Sequence, residues 1–291
     1  MSGAGAGSAL PVAAVRVAPP GLRSDWRAVR VVWQRELIRF GQDRIRIVAA
    51  LVQPVLFLFV LGTGLQSLTR ASTGGTSLRT FMFPGVLATS VLFTAMFSAI
   101  SIVWDREFGF LREMLVAPVR RGSILVGKCL GGASVATLQG LLVLVLAPLV
   151  DVPYHPLMLL ELIAVMFLLA FALTAFGLVV AARIQNIQTV MGVMQVLLFP
   201  LAFLSGSIYP IGKLPAWMSL IVRANPITYA VHLSRDIVFS NIHASPAARA
   251  ALNPPITWAG WAVPGTLAVA LVGGIGVALL GAAMLQFARV E

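Results

Sequence analysis

The chain has 291 residues, of which 59% are apolar and only 11% are charged, and its mean hydropathy is +0.94. Soluble domains are nearer half apolar and a quarter charged, so this composition excludes an ordinary soluble protein and predicts a surface that mostly faces lipid. The net charge of +11 could suggest a nucleic-acid binder, but the 21 Lys and Arg residues lie in short segments between apolar runs, which is typical of a membrane protein.

Cysteine and histidine usage excludes further classes of site. The single cysteine, Cys129, excludes a disulfide within the chain and a multi-cysteine metal site. The three histidines, His155, His232 and His243, are scattered, and none has a His, Cys or carboxylate partner at metal-ligand spacing. The sequence therefore predicts that this chain binds neither a metal nor a cofactor.

The chain opens on a segment rich in Gly, Ala, Ser and Pro, and we interpret residues 1–23 as a disordered cytoplasmic tail. Apolar side chains recur at helical spacing over residues 24–41, arginines occupy the other faces, and Ser24 or Asp25 is the expected N-cap. This pattern predicts an amphipathic helix at the headgroup boundary, with an ordinary packed surface helix as the alternative. The apolar stripe comprises Trp26, Val29, Trp33, Leu37 and Phe40.

Six apolar stretches with few charges follow, and each can supply the ~20 residues that cross ~30 Å of hydrocarbon. We therefore predict an all-α integral membrane domain over residues 24–291 with six transmembrane helices. Their expected bounds are about 46–67, 82–104, 124–149, 157–182, 188–208 and 261–285.

Loop charges predict the orientation. With the N-terminus in the cytoplasm, the cytoplasmic segments hold 15 basic residues and the outer segments hold six. Because basic residues favour the cytoplasmic side, both termini are expected inside. High usage of Ala, Val and Arg suggests a bacterial source and hence the bacterial cytoplasmic membrane.

The cytoplasmic segment after the second span reads WDREFGFLREMLVAPVRRGSILVGK (104–128) and mixes acidic, basic and apolar residues before Pro118. It predicts a short amphipathic helix across the membrane exit. Its apolar side chains require a partner, which is either lipid headgroups or another protein.

The stretch from Phe199 to Arg249 is apolar but interrupted by prolines. The pair Asn225–Pro226 has the form of a helix N-cap followed by proline at the first helical position. We expect one or two short helices that re-enter from the outer face between spans 5 and 6, with their backbone buried in protein or lining a cavity.

These two stretches resemble the membrane subunits of type-2 ABC exporters, a family that includes drug-resistance, nodulation-factor and polysaccharide-export permeases. The first is DREFGFLREMLVAPVRRGSILVGK (105–128), which is similar to the family's segment between spans 2 and 3. The second resembles the C-terminal family signature, here Leu198, Leu201, Leu204, Ser205, Ser207, Leu214, Pro215, Pro226, Tyr229 and Arg235.

The resemblance implies that two permease subunits, identical or related, form the pathway. Two separate ATPase subunits would bind ATP and Mg²⁺ and supply the energy, so this chain is not expected to be an enzyme. Residues 24–41 would connect to the bundle at the membrane interface, and the turn near Arg183 would be a weaker ATPase contact. The main coupling contacts implied are Asp105, Arg106, Glu107, Phe108, Phe110, Leu111, Arg112, Glu113 and Met114.

The run Gly122–Cys129 matches a phosphate-binding loop except that Cys129 replaces the magnesium-binding hydroxyl. It leads into a span rather than following a strand, so nucleotide binding is not expected. We interpret Lys128 as an interfacial anchor whose ammonium reaches the headgroups. Gly127 and Gly131 are expected to allow close helix packing.

Polar and aromatic residues inside the spans could line a pathway for a drug, a lipid or a glycan, with drug efflux slightly favoured. At helical spacing the same residues are also compatible with a packed core or a lipid-facing surface. An ion-coupled secondary transporter is the alternative function, and it would use Glu161. The candidate pathway residues are Phe57, Phe93, Phe97, Gln139 and Gln195.

Overall fold

A computed structural model of the protein describes residues 21–65, 77–110, 119–242, 246–258 and 260–290. The longer helices within these ranges are α1 (Leu22–Gln42), α2 (Arg44–Gly64), α3 (Leu78–Glu107), α4 (Arg121–Leu144), α5 (Pro156–Ala181), α6 (Ile187–Phe203), α7 (Ala216–Ala224), α8 (Pro226–Asn241), α9 (Pro246–Leu252) and α10 (Gly265–Val290). Short 3₁₀ turns lie at Ala147–Val150 and Ile211–Lys213. The strands β1 (Thr257–Trp258) and β2 (Trp261–Ala262) pair antiparallel.

Five of the described helices, α2, α3, α4, α5 and α10, are long and apolar enough to cross a membrane. They confirm the prediction of an all-α membrane protein. The fifth predicted span, 188–208, corresponds to α6, which has 17 residues and is shorter than the ~20 that span a bilayer. A sixth crossing therefore stays a prediction, as does the re-entry of the short helices α7 to α9.

The last predicted span starts later than expected. The sequence places its start at residue 261, but Trp261 pairs with Trp258 in the two-stranded sheet, so α10 begins only at Gly265. The strand pairing, rather than a helix, satisfies the backbone groups of this segment.

The core lies between α3, α4 and α5, which are mostly buried, whereas α2 and α10 lie at the periphery. Phe83, Leu87 and Met96 on α3 are fully buried there. The central helices are therefore covered on several sides, whereas α2 and α10 each present a wide apolar surface outwards.

Helix α1 begins earlier than predicted. Gly21 is its N-cap residue, and the Ser24 hydroxyl three residues later accepts a hydrogen bond from the Gly21 N–H. Asp25 does not cap the helix, because its carboxylate accepts a hydrogen bond from the backbone N–H of Arg120 at 3.0 Å. The predicted cap at Ser24 or Asp25 was therefore wrong, and Asp25 instead ties α1 to the start of α4.

The buried face of α1 also differs from the predicted stripe. Val29 and Phe40 are buried as expected, but Trp26 is exposed. The helix packs along α4, and its buried side includes two carboxylates, Asp25 and Glu36. The apolar pattern alone could not reveal this face, because its two acidic residues are paired with Arg120, the N-cap residue of α4, and with Lys128 on α4.

Candidate coupling surface and α7–α8 lobe

A buried charged cluster joins α1, α3 and α4. The Lys128 Nζ atom lies 2.5 Å from Asp105 Oδ2 and 3.1 Å from Glu36 Oε1. It also lies 3.0 Å from the Ser101 hydroxyl, and Arg35 pairs with the other oxygen of Asp105. The side chains of Lys128 and Asp105 are each only 1% exposed.

The cluster is electrically neutral, since two cations face two carboxylates. Burying a charge is expensive unless it is paired and hydrogen-bonded, and the Lys128 ammonium donates to Glu36 and to the Ser101 hydroxyl and forms an ion pair with Asp105. The interpretation of Lys128 as an interfacial anchor is therefore wrong, because its ammonium points into the bundle. The sequence signal that could have located the cluster is the helical spacing of Glu36 with Val29 and Val32.

Two glycines of α4 make this contact possible. A Cβ atom at Gly131 would lie 2.8 Å from Glu36 Cβ, and one at Gly127 would lie 2.8 Å from Val32 Cβ. Close approach of the α1 backbone requires the absence of a side chain at both positions. The predicted packing role of Gly127 and Gly131 is confirmed, and the partner is α1.

The structure separates the predicted coupling residues into different roles. Asp105 is fully buried in the charged cluster, so its predicted contact with an ATPase needs correction. Arg106 donates to the carbonyl oxygens of Ala182 and Ile184, and Glu107 accepts from the backbone N–H of Ile187 at 3.1 Å. Arg106 and Glu107 thus tie the end of α3 to the turn between α5 and α6.

Aromatic side chains at the end of α3 lie on the surface. Phe108 is 61% exposed and Phe110 is 49% exposed, and the half-exposed Trp104 packs against Phe108 with ring centroids 5.8 Å apart. The remaining predicted contacts, Leu111, Arg112, Glu113 and Met114, lie outside the described residues. The described part of the segment therefore presents an apolar surface suited to a partner.

The described residues of 204–263, which we name the α7–α8 lobe, gather most of the C-terminal signature. The Asn225 side chain accepts from the Ile227 N–H, which confirms the predicted N-cap of α8 with Pro226 at its first position. The Asn225 amide also donates to the carbonyl oxygen of Leu201 at 2.8 Å. This residue therefore both starts α8 and fastens it to the end of α6.

Tyr229 connects α8 to the end of α7 and to strand β1. Its hydroxyl donates to the Arg223 carbonyl oxygen and accepts from Trp258 Nε1, both at 2.8 Å. Leu214 lies just before α7 and Pro215 is the N-cap residue of α7. Leu214 also lines a cleft of about 130 Å³ between α7 and the loop that carries Pro254.

Arg235 is buried and pairs with backbone rather than with an acid. Its guanidinium donates to the carbonyl oxygens of Gly206 at 2.7 Å and Ser207 at 2.9 Å, and it lies 4.0 Å from the centre of the Phe81 ring. The neighbouring Asp236 is exposed, so its carboxylate lies outside this buried site. Gly85 leaves the space for this turn, because a Cβ atom there would overlap the Ser207 carbonyl group. Arg235, which lies on α8, thus connects the turn after α6 to Phe81 on α3.

The structure places the candidate pathway residues in different environments. Gln139 is fully buried in the core, and its amide atoms have no partner among the described residues, whereas Gln195 is exposed on α6. Phe57, Phe93 and Phe97 are half-buried and pack against the core. Glu161 is exposed on α5.

Comparisons with known proteins match most of the chain. The family model described as ABC-2 type transporter matches residues 27–239. Nodulation protein J of Rhizobium leguminosarum bv. trifolii is 29% identical over 225 residues, which cover 76% of this chain and 84% of that protein. The putative transport permease ycf38 of Cyanophora paradoxa is 28% identical over 204 residues, covering 69% of this chain and 70% of that protein.

A third relative is the probable doxorubicin resistance ABC transporter permease protein DrrC of Mycobacterium tuberculosis (strain CDC 1551 / Oshkosh). It is 26% identical over 241 residues, which cover 80% of this chain and 87% of that protein. The family match includes the charged cluster, the exposed end of α3 and most of α8. The chain belongs to the ABC-2 type transporter family, whose members are membrane subunits of ABC transporters.

Proposed function

We propose that this chain is the membrane-spanning subunit of an ATP-driven exporter. Two copies of it, or one copy and a relative, form the pathway, and a pair of separate ATPase subunits binds ATP and Mg²⁺. The chain itself hydrolyses nothing. The 15-to-6 distribution of basic residues supports a multi-pass protein of the bacterial cytoplasmic membrane with both termini inside.

The observation that carries the proposal is the exposed aromatic end of α3. Phe108 and Phe110 offer apolar surface at the predicted site of ATPase contact, and burying one such ring in a partner contributes about 1.5–3 kcal/mol. In this proposal the ATPase binds these two rings and the segment that follows them.

The contacts around this end support a route by which a movement of the end of α3 would reach other helices. The charged cluster joins the end of α3 to α1 and α4, while Arg106 and Glu107 join it to the turn before α6. Because packed interfaces switch between discrete arrangements, a displacement of the end of α3 is expected to move these helices together. ATP-driven closure of the ATPases would thereby shift the permease toward an outward-open state.

The exposed faces of α2 and α6 support a second permease copy. Both faces are mostly apolar, and Gln195 is a polar residue on the exposed face of α6. We propose that α6 lines the pathway between two copies, with lipid covering the remaining apolar surface. The large exposed side chains on these faces are Val48, Val52, Leu56, Val196, Phe199 and Phe203.

The proposed cargo is a hydrophobic or amphipathic small molecule, a lipid or a glycan. The named relatives include a nodulation protein and a probable doxorubicin resistance permease, and the latter supports a drug as the cargo. We favour drug efflux. Accumulation of doxorubicin in cells with and without the gene tests this part separately from the partner.

Copurification tests the proposed function. The tagged chain, extracted mildly from its native host, is expected to retain a stoichiometric ATPase, and a double variant Phe108→Ser/Phe110→Ser is expected to lose it. Val145→Ser is the matched control, because Val145 is equally exposed but lies at the end of α4. If wild type binds no ATPase while Glu161→Gln abolishes transport, the chain is instead an ion-coupled secondary transporter.

A further inference from the structure

Burial of acidic side chains leaves α1 with an exposed surface whose only charges are positive. Asp25 and Glu36 are the acidic residues of this helix. The Asp25 carboxylate lies 3.4 Å from Arg120 Nε, and the Glu36 carboxylate lies 3.1 Å from Lys128 Nζ. Both acids are buried and paired with α4, so neither neutralises the outward side of α1.

Three arginines lie along one line on this outward side. Arg23, Arg27 and Arg30 are all exposed, and their spacing of four and three residues stacks them on one face of the helix. Neighbours at this spacing have Cβ atoms about 5–6 Å apart, and like charges there destabilise a helix. None of the three has a hydrogen bond or ion pair with any residue that the structure describes.

An anion between these guanidinium groups would remove the repulsion. Arginine binds phosphate through two parallel N–H···O bonds, so a row of arginines suits a row of phosphates better than a single small anion. We name Arg23, Arg27 and Arg30 the arginine stripe.

The flanks of the stripe indicate where the phosphates come from. Trp26 lies beside it on one side, and Val31 and Ile38 lie on the other, and all three are exposed. An acidic protein surface would not need apolar side chains on both sides of a cationic row. A bilayer supplies phosphates beside acyl chains, and an aromatic side chain next to cations is typical of an interfacial helix.

We propose that the arginine stripe is a binding site for the phosphate headgroups of anionic phospholipids in the cytoplasmic leaflet. Through the charged cluster and the Asp25–Arg120 contact, the lipid-bound α1 is fastened to the start of α4 and the end of α3. Anionic lipid thereby holds the coupling end of the permease at a defined depth. Lipid binding at the arginine stripe does not depend on exporter activity.

The test uses the detergent-solubilised full chain with a fluorescent probe on Gln34→Cys. Gln34 is exposed next to the stripe, and the natural Cys129 is fully buried, so labelling is selective. The probes added are short-chain phosphatidylglycerol, short-chain phosphatidylcholine and inorganic phosphate. Phosphatidylglycerol is expected to change the fluorescence saturably and in a salt-sensitive way, and the other two are not.

The variant Arg27→Gln/Arg30→Gln is expected to weaken phosphatidylglycerol binding about 30-fold, since each basic residue near an anionic surface contributes ~1 kcal/mol. The control Arg44→Gln/Arg46→Gln removes the same charge from exposed positions at the start of α2 and is expected to change binding less than threefold. Equal weakening by both pairs would overturn the proposal, because only net charge would then matter.

Two other results would also overturn it. Inorganic phosphate that saturates as strongly as phosphatidylglycerol would identify a free-anion site rather than a lipid site. Loss of a copurified ATPase from Arg27→Gln/Arg30→Gln, with no lipid response in wild type, would assign the stripe to an acidic protein partner.

Discussion

Replacing Lys128 by methionine tests the charged cluster. The change keeps a long apolar side chain but removes the ammonium that meets Asp105, Glu36 and Ser101. Asp105 keeps Arg35 as a partner, whereas the Glu36 carboxylate loses the one ion pair that it makes among the described residues. Breaking a buried pair in this way costs about 3–5 kcal/mol, because it leaves an uncompensated charge.

The assay is thermal unfolding of the purified full chain in detergent. For large single domains, each kcal/mol of lost stability lowers the unfolding midpoint by ~2–4 °C. The midpoint of Lys128→Met is therefore expected to fall by about 6–20 °C. Arg121→Met is the matched control, since Arg121 is an exposed cation in the first turn of α4 and its loss is expected to shift the midpoint by less than ~2 °C.

A second variant separates charge from packing. Glu36→Gln combined with Lys128→Met removes both members of one pair, so the double variant is expected to recover part of the stability lost by Lys128→Met alone. The interaction between contacting residues is then read from the double-mutant cycle. Strict additivity of the two single effects, or a Lys128→Met shift as small as that of the control, would refute the reasoning.

Three further predictions concern neighbouring contacts. Gly131→Leu forces a side chain against Glu36 and is expected to cost ~1–3 kcal/mol in the same unfolding assay, and an unchanged midpoint would contradict the close packing of α1. Arg235→Lys loses the paired carbonyl contacts and the stacking on Phe81, so it is expected to destabilise by ~1–3 kcal/mol despite the retained charge. Glu107→Gln weakens the exposed bond between α3 and the start of α6, so transport is expected to fall while an ATPase still copurifies, and loss of the ATPase would show direct docking.

Much of the architecture could be predicted from residue types alone. Membrane crossing follows from the length and apolarity of a segment, because an unpaired backbone group in hydrocarbon is too costly for anything but a helix or a closed sheet. The start of α8 at Asn225–Pro226 followed equally from local chemistry, because a cap depends on the few residues next to it.

The partners of individual charges could not be read from the sequence. Lys128 looked like a headgroup anchor because it precedes an apolar run, and its acceptors on α1 and α3 lie 92 residues away at Glu36 and 27 residues away at Ser101. Arg235 likewise donates to the carbonyl oxygens of Gly206 and Ser207, and no local sequence pattern predicts this turn as its partner. Asp105 was grouped with its exposed neighbours, although helix packing turned its side chain inward.

The sequence by itself thus determined which long segments are helical and apolar, and where the stretches that resemble the family lie along the chain. Tertiary structure alone decided that the acids of α1 face α4, that Lys128 closes a neutral cluster, and that the arginine stripe is left facing outward. The physical reason is that apolarity and capping act on neighbouring residues, whereas the partner of a buried charge depends on which helices pack together.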